Sequence, residues 1–204
     1  KILTFKDAIN VSMQVAEGLN VVHNEGWAHL DIKPGNFFYE IDIKRGYVAK
    51  LADFDFAEDL KNAKSNRLLI NGTPGYRSPE MTRFECMGLV GGQQNDIFSL
   101  GISMLELAGF SIWHNFVNDD NNSHKTQEEV LDAFEALMSN FKLGSPEYSK
   151  VQTEFYKYVA NTNPQDYQKS YLNLAGNMIN PDASRRPKII DVVLELKLLD
   201  LATT

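Results

Sequence analysis

The spacing of hydrophobic residues changes several times along this chain, and each change marks an element. Phe5, Ile9, Val11, Val15, Leu19 and Val22 recur at helical intervals behind a capping-box pair, Thr4 and Asp7. That spacing predicts one long amphipathic helix reaching Gly26. After the Pro- and Gly-punctuated stretch 29–36, two extended runs, 37–43 and 46–51, flank the turn-like Lys44-Arg45 and predict a small hairpin. From Asp53 to Glu80 the chain is polar and turn-rich, with Asn71-Gly72 and Thr73-Pro74-Gly75 inside it. A long ordered loop is expected there, and such loops usually carry function.

Residues 95–108 are apolar on nearly all sides, through Ile97, Phe98, Leu100, Ile102, Met104, Leu105 and Leu107. This predicts a helix buried at the centre of the fold. The Asn- and Asp-rich stretch 115–123 reads as a solvated loop. Thr126 with Glu129 forms a second capping box for a helix to about Phe141, and Ser145 with Pro146 starts another to about Ala160. Two more helices are expected, near 164–179 and 188–201, split by Asn180-Pro181. The expected fold class is mainly α with a few short β-strands. With no internal repeat and no linker, one domain over residues 1–204 is expected.

Composition narrows the partners. A chain of 204 residues with 43% hydrophobic content can bury one substantial core. Its formal charge of -7 argues against a nucleic-acid backbone or an anionic membrane as the main partner. No apolar run has membrane-spanning length, and residues 1–6 lack a signal-peptide pattern. One cysteine, Cys86, cannot make an internal disulfide, which fits a reducing compartment or a fold that needs no covalent staple, and the expected setting is cytoplasmic or otherwise intracellular.

The chemistry concentrates in His29-Leu30-Asp31-Ile32-Lys33-Pro34-Gly35-Asn36. On one tight loop, Asp31 can orient and deprotonate an attacking hydroxyl, Lys33 can neutralise a transferred phosphoryl group, and the Asn36 amide oxygen can bind Mg²⁺. Standing alone, a Lys-Pro-Gly loop is an ordinary surface turn. Ala52-Asp53-Phe54-Asp55 follows beyond the hairpin and opens an acidic run. The plain reading of that run is a solvated face, but Leu51, Phe54 and Phe56 interleaved with it favour a partly buried strand end.

These stretches resemble the protein kinase family. The loop 29–36 resembles its H-R-D-x-K-P-x-N catalytic loop in the form associated with Ser/Thr kinases, and Asp53-Phe54-Asp55 stands where kinases carry D-F-G. Residues 72–80, Gly-Thr-Pro-Gly-Tyr-Arg-Ser-Pro-Glu, resemble the end of an activation segment. Asp96-Ile97-Phe98-Ser99-Leu100-Gly101 looks like the start of the central kinase helix. The resemblance runs from about Phe5 to Leu199. It implies that Asp31, Lys33 and Thr73 are catalytic, that Phe38, Lys33, Asn36 and Asp53 line the ATP site, and that Asn36 and Asp53 hold Mg²⁺. It also implies that Asp96 braces the catalytic loop and that Glu80 pairs with Arg186, with Arg185 as the rival.

Three departures stand out. Leu30 replaces the Arg that reads a phosphorylated activation loop, Asp55 replaces Gly, and helical residues within 126–160 exceed what the family pattern requires and could form a partner surface. No Gly-rich loop or strand lysine is present, so the resemblance implies the C-terminal lobe of a Ser/Thr kinase without its ATP-clamping N-lobe, its partners being that lobe and a protein with a Ser/Thr acceptor. A binding-only scaffold is the alternative. A small-molecule phosphotransferase of the aminoglycoside kinase type would share the 29–36 loop but would leave residues 73–80 and Arg186 unexplained.

Overall fold

The structure is a computed structural model that describes residues 3–42, 46–62, 72–83, 88–110, 127–162 and 165–203. The first helix, α1 (Phe5–Asn24), starts at the expected capping box: Thr4 Oγ1 accepts from the Asp7 N–H at 3.1 Å and Asp7 accepts from the Thr4 N–H at 3.0 Å. Its apolar stripe, from Ala8 and Ile9 through Val15 to Leu19, is fully buried. The helix ends where Gly26 takes φ 86°, a conformation that side chains with a Cβ rarely adopt.

A two-residue strand, β1 (Trp27–Ala28), follows and pairs antiparallel with β4 (Glu58–Asp59). Neither strand is long enough to leave an alternating sequence pattern, and the sequence did not reveal them. The expected hairpin is β2 (Phe37–Asp42) and β3 (Gly46–Leu51), in the register Phe37 to Leu51 through Asp42 to Gly46. Ile43, Lys44 and Arg45 lie outside the described residues. Gln14 on α1 fastens the hairpin, donating to the Tyr47 carbonyl at 2.9 Å and accepting from the Ala49 N–H at 3.0 Å. One amide side chain thus serves both kinds of backbone group on an otherwise open strand.

A short helix, α2 (Pro79–Thr82), ends the long loop and is N-capped by Ser78. The central helix α3 (Gly88–Leu107) begins seven residues before the expected Asn95. Asp96 is therefore an interior residue and not a first-turn acid. Ile97, Phe98, Leu100, Ile102, Met104 and Leu105 are buried, as their all-round apolar pattern requires. Next come α4 (Gln127–Asn140), α5 (Pro146–Thr162), α6 (Asp166–Met178) and α7 (Ile189–Ala202). Ser145 caps α5 by accepting from the Tyr148 N–H, whereas the Thr126 cap and the Pro164 start lie outside the described residues. The expected class, mainly α with a few short β-strands, is the observed one.

Two features hold the helices in register. Gly101 lets α3 and α6 touch, since a Cβ there would sit 2.8 Å from Met178 Cβ and 2.9 Å from Ile179 Cγ2. The buried Tyr171 hydroxyl donates to the Met104 carbonyl at 3.0 Å, so Ser12, 2.9 Å away, is the donor to it, and α1, α3 and α6 meet at one oxygen.

Arg186 closes the other side. Its guanidinium is fully enclosed and forms a two-pronged pair with Glu80 at 2.6 and 2.8 Å, while also donating to the carbonyls of Asn180 and Gln94. It lies 5.0 Å from the centre of the Phe98 ring. Arg185 instead pairs with Asp182 at the surface. Truncating one partner of such a pair leaves a buried charge alone. Arg186→Ala and Glu80→Ala are each expected to destabilise the fold by about 3–5 kcal/mol, and Arg186→Lys, lacking the planar fork, to recover little. Chemical denaturation of the three variants checks this, and unchanged midpoints would remove the pair from the account.

Candidate active site

The loop 29–36 is held from below by Asp96. This carboxylate is wholly buried in α3 and accepts from the backbone N–H of His29 and of Leu30, both at 2.8 Å, and from His23 Nε2 at 2.9 Å. For two successive N–H groups to face one carboxylate the chain must turn sharply, and Leu30 has φ 66°. Such a backbone costs about 1–3 kcal/mol for a residue with a side chain. The Leu30 side chain is itself buried, packed with Ala28, Leu60 and Met81. Gly72 lies against this turn, where a Cβ would collide with the Leu30 carbonyl oxygen.

Above that support the sequence-predicted residues come together. One oxygen of Asp31 accepts from the Thr73 N–H at 2.8 Å and the Thr73 hydroxyl at 2.7 Å. The other accepts from Lys33 Nζ at 2.7 Å and Asn36 Nδ2 at 2.9 Å. Lys33 also donates to Thr73 Oγ1 at 2.6 Å. Burial pushes the Asp31 carboxyl up, but the hydrogen bonds from Lys33, Thr73 and Asn36 outweigh it and hold the group below the usual carboxylate range.

The Asn36 amide nitrogen is committed to Asp31, so its oxygen is the atom left to accept a cation. The Ala52 N–H donates to the Asn36 carbonyl at 3.0 Å and the Ala52 carbonyl lies 3.1 Å from His29 Nε2, which sets Asp53 beside this loop with φ 64°. An exposed carboxylate and an amide oxygen are hard donors of the kind Mg²⁺ takes one or two of, its remaining positions going to water and phosphate. The residues present fit that ion. Phe38 is 65% exposed on β2. Leu51, the half-buried last residue of β3, is the partly buried strand end that the sequence suggested, whereas Phe54, 48% exposed, and Phe56, 43% exposed, are not, because residues 52–57 join no ladder and turn at 55–56. The Phe54 ring does lie 4.7 Å from that of His29.

Sequence reasoning missed one polar pair. The Tyr76 hydroxyl donates to Glu106 at 2.7 Å, and Ser99 donates to the Tyr76 carbonyl at 2.6 Å. Burial pushes Glu106 up, against the lowering effect of the Tyr76 bond, and burial with Glu106 and Asp31 nearby pushes Tyr76 up. A lone charged residue in the mostly apolar run 97–107 was the available signal. Arg77 ties the same loop to α4, donating to the Gly72 carbonyl at 2.6 and 3.0 Å and pairing with Glu135 at 3.3 Å.

The chain matches a family model described as protein kinase domain over residues 1–196. It is 28% identical over 202 residues to the LRR receptor-like serine/threonine-protein kinase IOS1 of Arabidopsis thaliana, covering 96% of this chain and 20% of that protein. It is 32% identical over 154 residues to serine/threonine-protein kinase Nek5 of Homo sapiens, covering 76% and 19% respectively. With the interferon-induced, double-stranded RNA-activated protein kinase of Rattus norvegicus it shares 39% identity over 95 residues, 46% of this chain and 17% of that one. The chain thus spans about a fifth of the length of these relatives.

The lowered Asp31 pKa has a pH signature. A carboxylate whose folded pKa lies below its unfolded value adds stability that is present above the unfolded value, 3.8, and is lost as pH falls through the folded one. Asp31→Asn is therefore expected to flatten the fall in stability at acid pH below about 4. Urea midpoints measured from pH 6 down to pH 2.5 check this; curves of identical shape for parent and variant would contradict it.

Proposed function

Because this chain belongs to the protein kinase domain family, we propose that it is the catalytic and substrate-binding lobe of a Ser/Thr protein kinase. In this reading it works with a second, ATP-covering lobe to transfer the γ-phosphoryl group of ATP to a protein hydroxyl. The observation that carries the proposal is the enclosed set formed by Asp31, Lys33, Thr73 and Asn36.

Asp31 is ionised and rigidly placed, so its work is to orient an acceptor hydroxyl and receive its proton as the bond to phosphorus forms. Lys33, bonded to the same carboxylate, sets a positive charge where negative charge develops. Thr73 fixes both and shapes the acceptor side. Asn36 and Asp53 would hold Mg²⁺, which when bound supplies charge neutralisation on the ATP phosphates. Phe38 would line the adenine side of that site, and its exposure, with that of Phe54, suits a face that a second lobe covers.

Leu30 supports a further part of the reading. Both ends of the segment 53–80 come to the catalytic loop at one apolar seat, Leu60 from the start and Met81 from just beyond the end, packed on Leu30. Apolar packing there replaces a phosphate-reading arginine, and activity in this proposal needs no added phosphate. No described helix is long and apolar enough to cross a membrane. The proposal places the chain inside the cell, where ATP is supplied.

Two kinds of variant should separate in the full-length protein. Asp31→Asn is expected to lower kcat by roughly 10²-fold or more with nucleotide affinity little changed. Asp53→Ala, which removes a ligand and a charge, should weaken Mg²⁺-dependent nucleotide binding as well as turnover. Nucleotide titration with and without Mg²⁺, beside phosphate transfer to a generic Ser/Thr substrate, reads the contrast. A parent protein that neither transfers phosphate nor binds ATP in a Mg²⁺-dependent way would leave the scaffold reading in its place.

Thr73→Glu sets a second carboxylate against Asp31 and removes the hydroxyl that Lys33 engages, so turnover should fall. Thr73→Ser keeps that hydroxyl and should stay close to the parent. Steady-state rates of both variants decide it; a faster Thr73→Glu enzyme would mean that this position is read as a phosphate mimic.

A further inference from the structure

The helical stretch that the family pattern does not require encloses a feature that the catalytic reading leaves unused. Helix α5 is anchored at one side: Phe155 packs edge-on against Phe110 at 5.7 Å, and the Tyr158 hydroxyl donates to the Ala108 carbonyl at 2.6 Å. Gly176 brings α6 against it, since a Cβ there would lie 3.4 Å from the Phe155 ring. Beside this contact, between α5 and α6, lies a cavity of about 330 Å³, near the lower end for ligand pockets. We propose that this cavity is a docking site for an uncharged, extended peptide segment of a partner protein, with one large apolar residue as its anchor.

The lining selects that chemistry. The floor is apolar, from Phe141, Val151, Phe155 and Ile179, all buried. The rim is made of amides, Gln152, Asn173, Asn177 and Asn180. Among the described residues no charged side chain lines the cavity, although 23% of the chain is charged. An anionic ligand would find no cation there, and a cationic one no carboxylate. The amides are also divided between roles. Gln152 spends its nitrogen on the Tyr148 hydroxyl at 2.8 Å, which leaves its oxygen to accept. Asn180 spends its oxygen on the Asp182 N–H at 2.9 Å, which leaves its nitrogen to donate. Asn173 and Asn177, one turn apart on α6, have no side-chain hydrogen-bond partner among the described residues.

An acceptor and a donor, with two unpartnered amides between the helices, complement the N–H and C=O of an extended backbone. Phe141 and Phe155 are buried and meet Tyr148 and Phe110 edge-on, while Tyr156, 61% exposed, sets an open aromatic face on the rim that can stack on the anchor side chain of a peptide or on a sugar ring, two occupants that the competition below separates. Phe141 directly follows α4, and Glu135 on that helix pairs with Arg77, which holds the Gly72 carbonyl beside Thr73. The proposal concerns binding and stands whether or not the chain transfers phosphate.

The test selects a phage-displayed library of random dodecapeptides against the protein without nucleotide. Enriched sequences should be uncharged and share one large apolar residue. Fluorescein-labelled synthetic copies should bind the parent and lose at least tenfold in affinity to Asn177→Asp and Gln152→Glu, which charge the rim, with thermal melts confirming that both variants stay folded. Failure to enrich any peptide, enrichment of charged peptides, or equal binding by parent and variants would each overturn the proposal. So would displacement of the peptide by oleate or maltoheptaose, which would assign the cavity to a lipid or a sugar.

Discussion

Asp96 carries a carboxylate into the interior of α3, at a position with no exposed surface. A charge there survives only if donors surround it, because an unpaired buried carboxylate costs several kcal/mol after relaxation. Three donors converge on it: two consecutive backbone N–H groups of the loop 29–36 and His23 from the end of α1. The need to satisfy one anion therefore fixes the loop in place. It also accounts for the left-handed backbone at Leu30, which no side-chain preference would produce. Asp31 comes next in the chain, so its direction is set by the solvation of Asp96.

The same logic runs through the long loop. Segment 72–83 reaches the core by polar contacts at one side, Thr73 to Asp31 and Arg77 to Glu135, and by apolar contact at the other, Met81 to Leu30. Glu80 then joins α2 to Arg186 across more than a hundred residues of chain. An apolar seat under the loop is insensitive to ionic strength and to phosphate, whereas exposed ion pairs such as that of Glu135 weaken with salt. The arrangement at Leu30 is accordingly steadier than a charge-reading one would be.

Much of this was legible because it rests on local rules. The Thr4 and Asp7 box, the β2–β3 hairpin and the apolar second half of α3 each leave a period or a cap in the sequence. The spacing within the loop 29–36 also marked Asp31, Lys33 and Asn36, and the family resemblance marked Thr73, which reaches Asp31 and Lys33 across about forty residues. The first turns of α3 were not legible. Gly91 and Gly92 are poor helix formers, and that stretch is braced by distant partners, Gln93 donating to the His23 carbonyl at 2.8 Å and Arg186 to the Gln94 carbonyl at 2.9 Å. The exposure of Phe54 and Phe56 was missed because apolar residues beside acids look like a strand when no ladder exists to hold them. The cavity between α5 and α6 left no motif, since its amides come from two helices and the turn after them.

Two carboxylates near the 72–76 loop are pushed in opposite directions by their surroundings. Asp31 is enclosed by four donors and favours the ionised form, while Glu106 is buried with the Tyr76 hydroxyl beside it and favours the protonated one. Their effects on stability have opposite signs. The Asp31 contribution is lost as pH falls below 3.8, whereas the Glu106 contribution is full below its ordinary value of 4.5 and is lost as pH rises through the raised folded value. Thr73 touches the first group and Tyr76 the second, three residues apart on one loop. A shift of that loop would disturb the solvation of both acids at once, so its position is set by electrostatics at two points and not by a single contact. Of the two, the carboxyl held below its usual range is the one that faces Lys33.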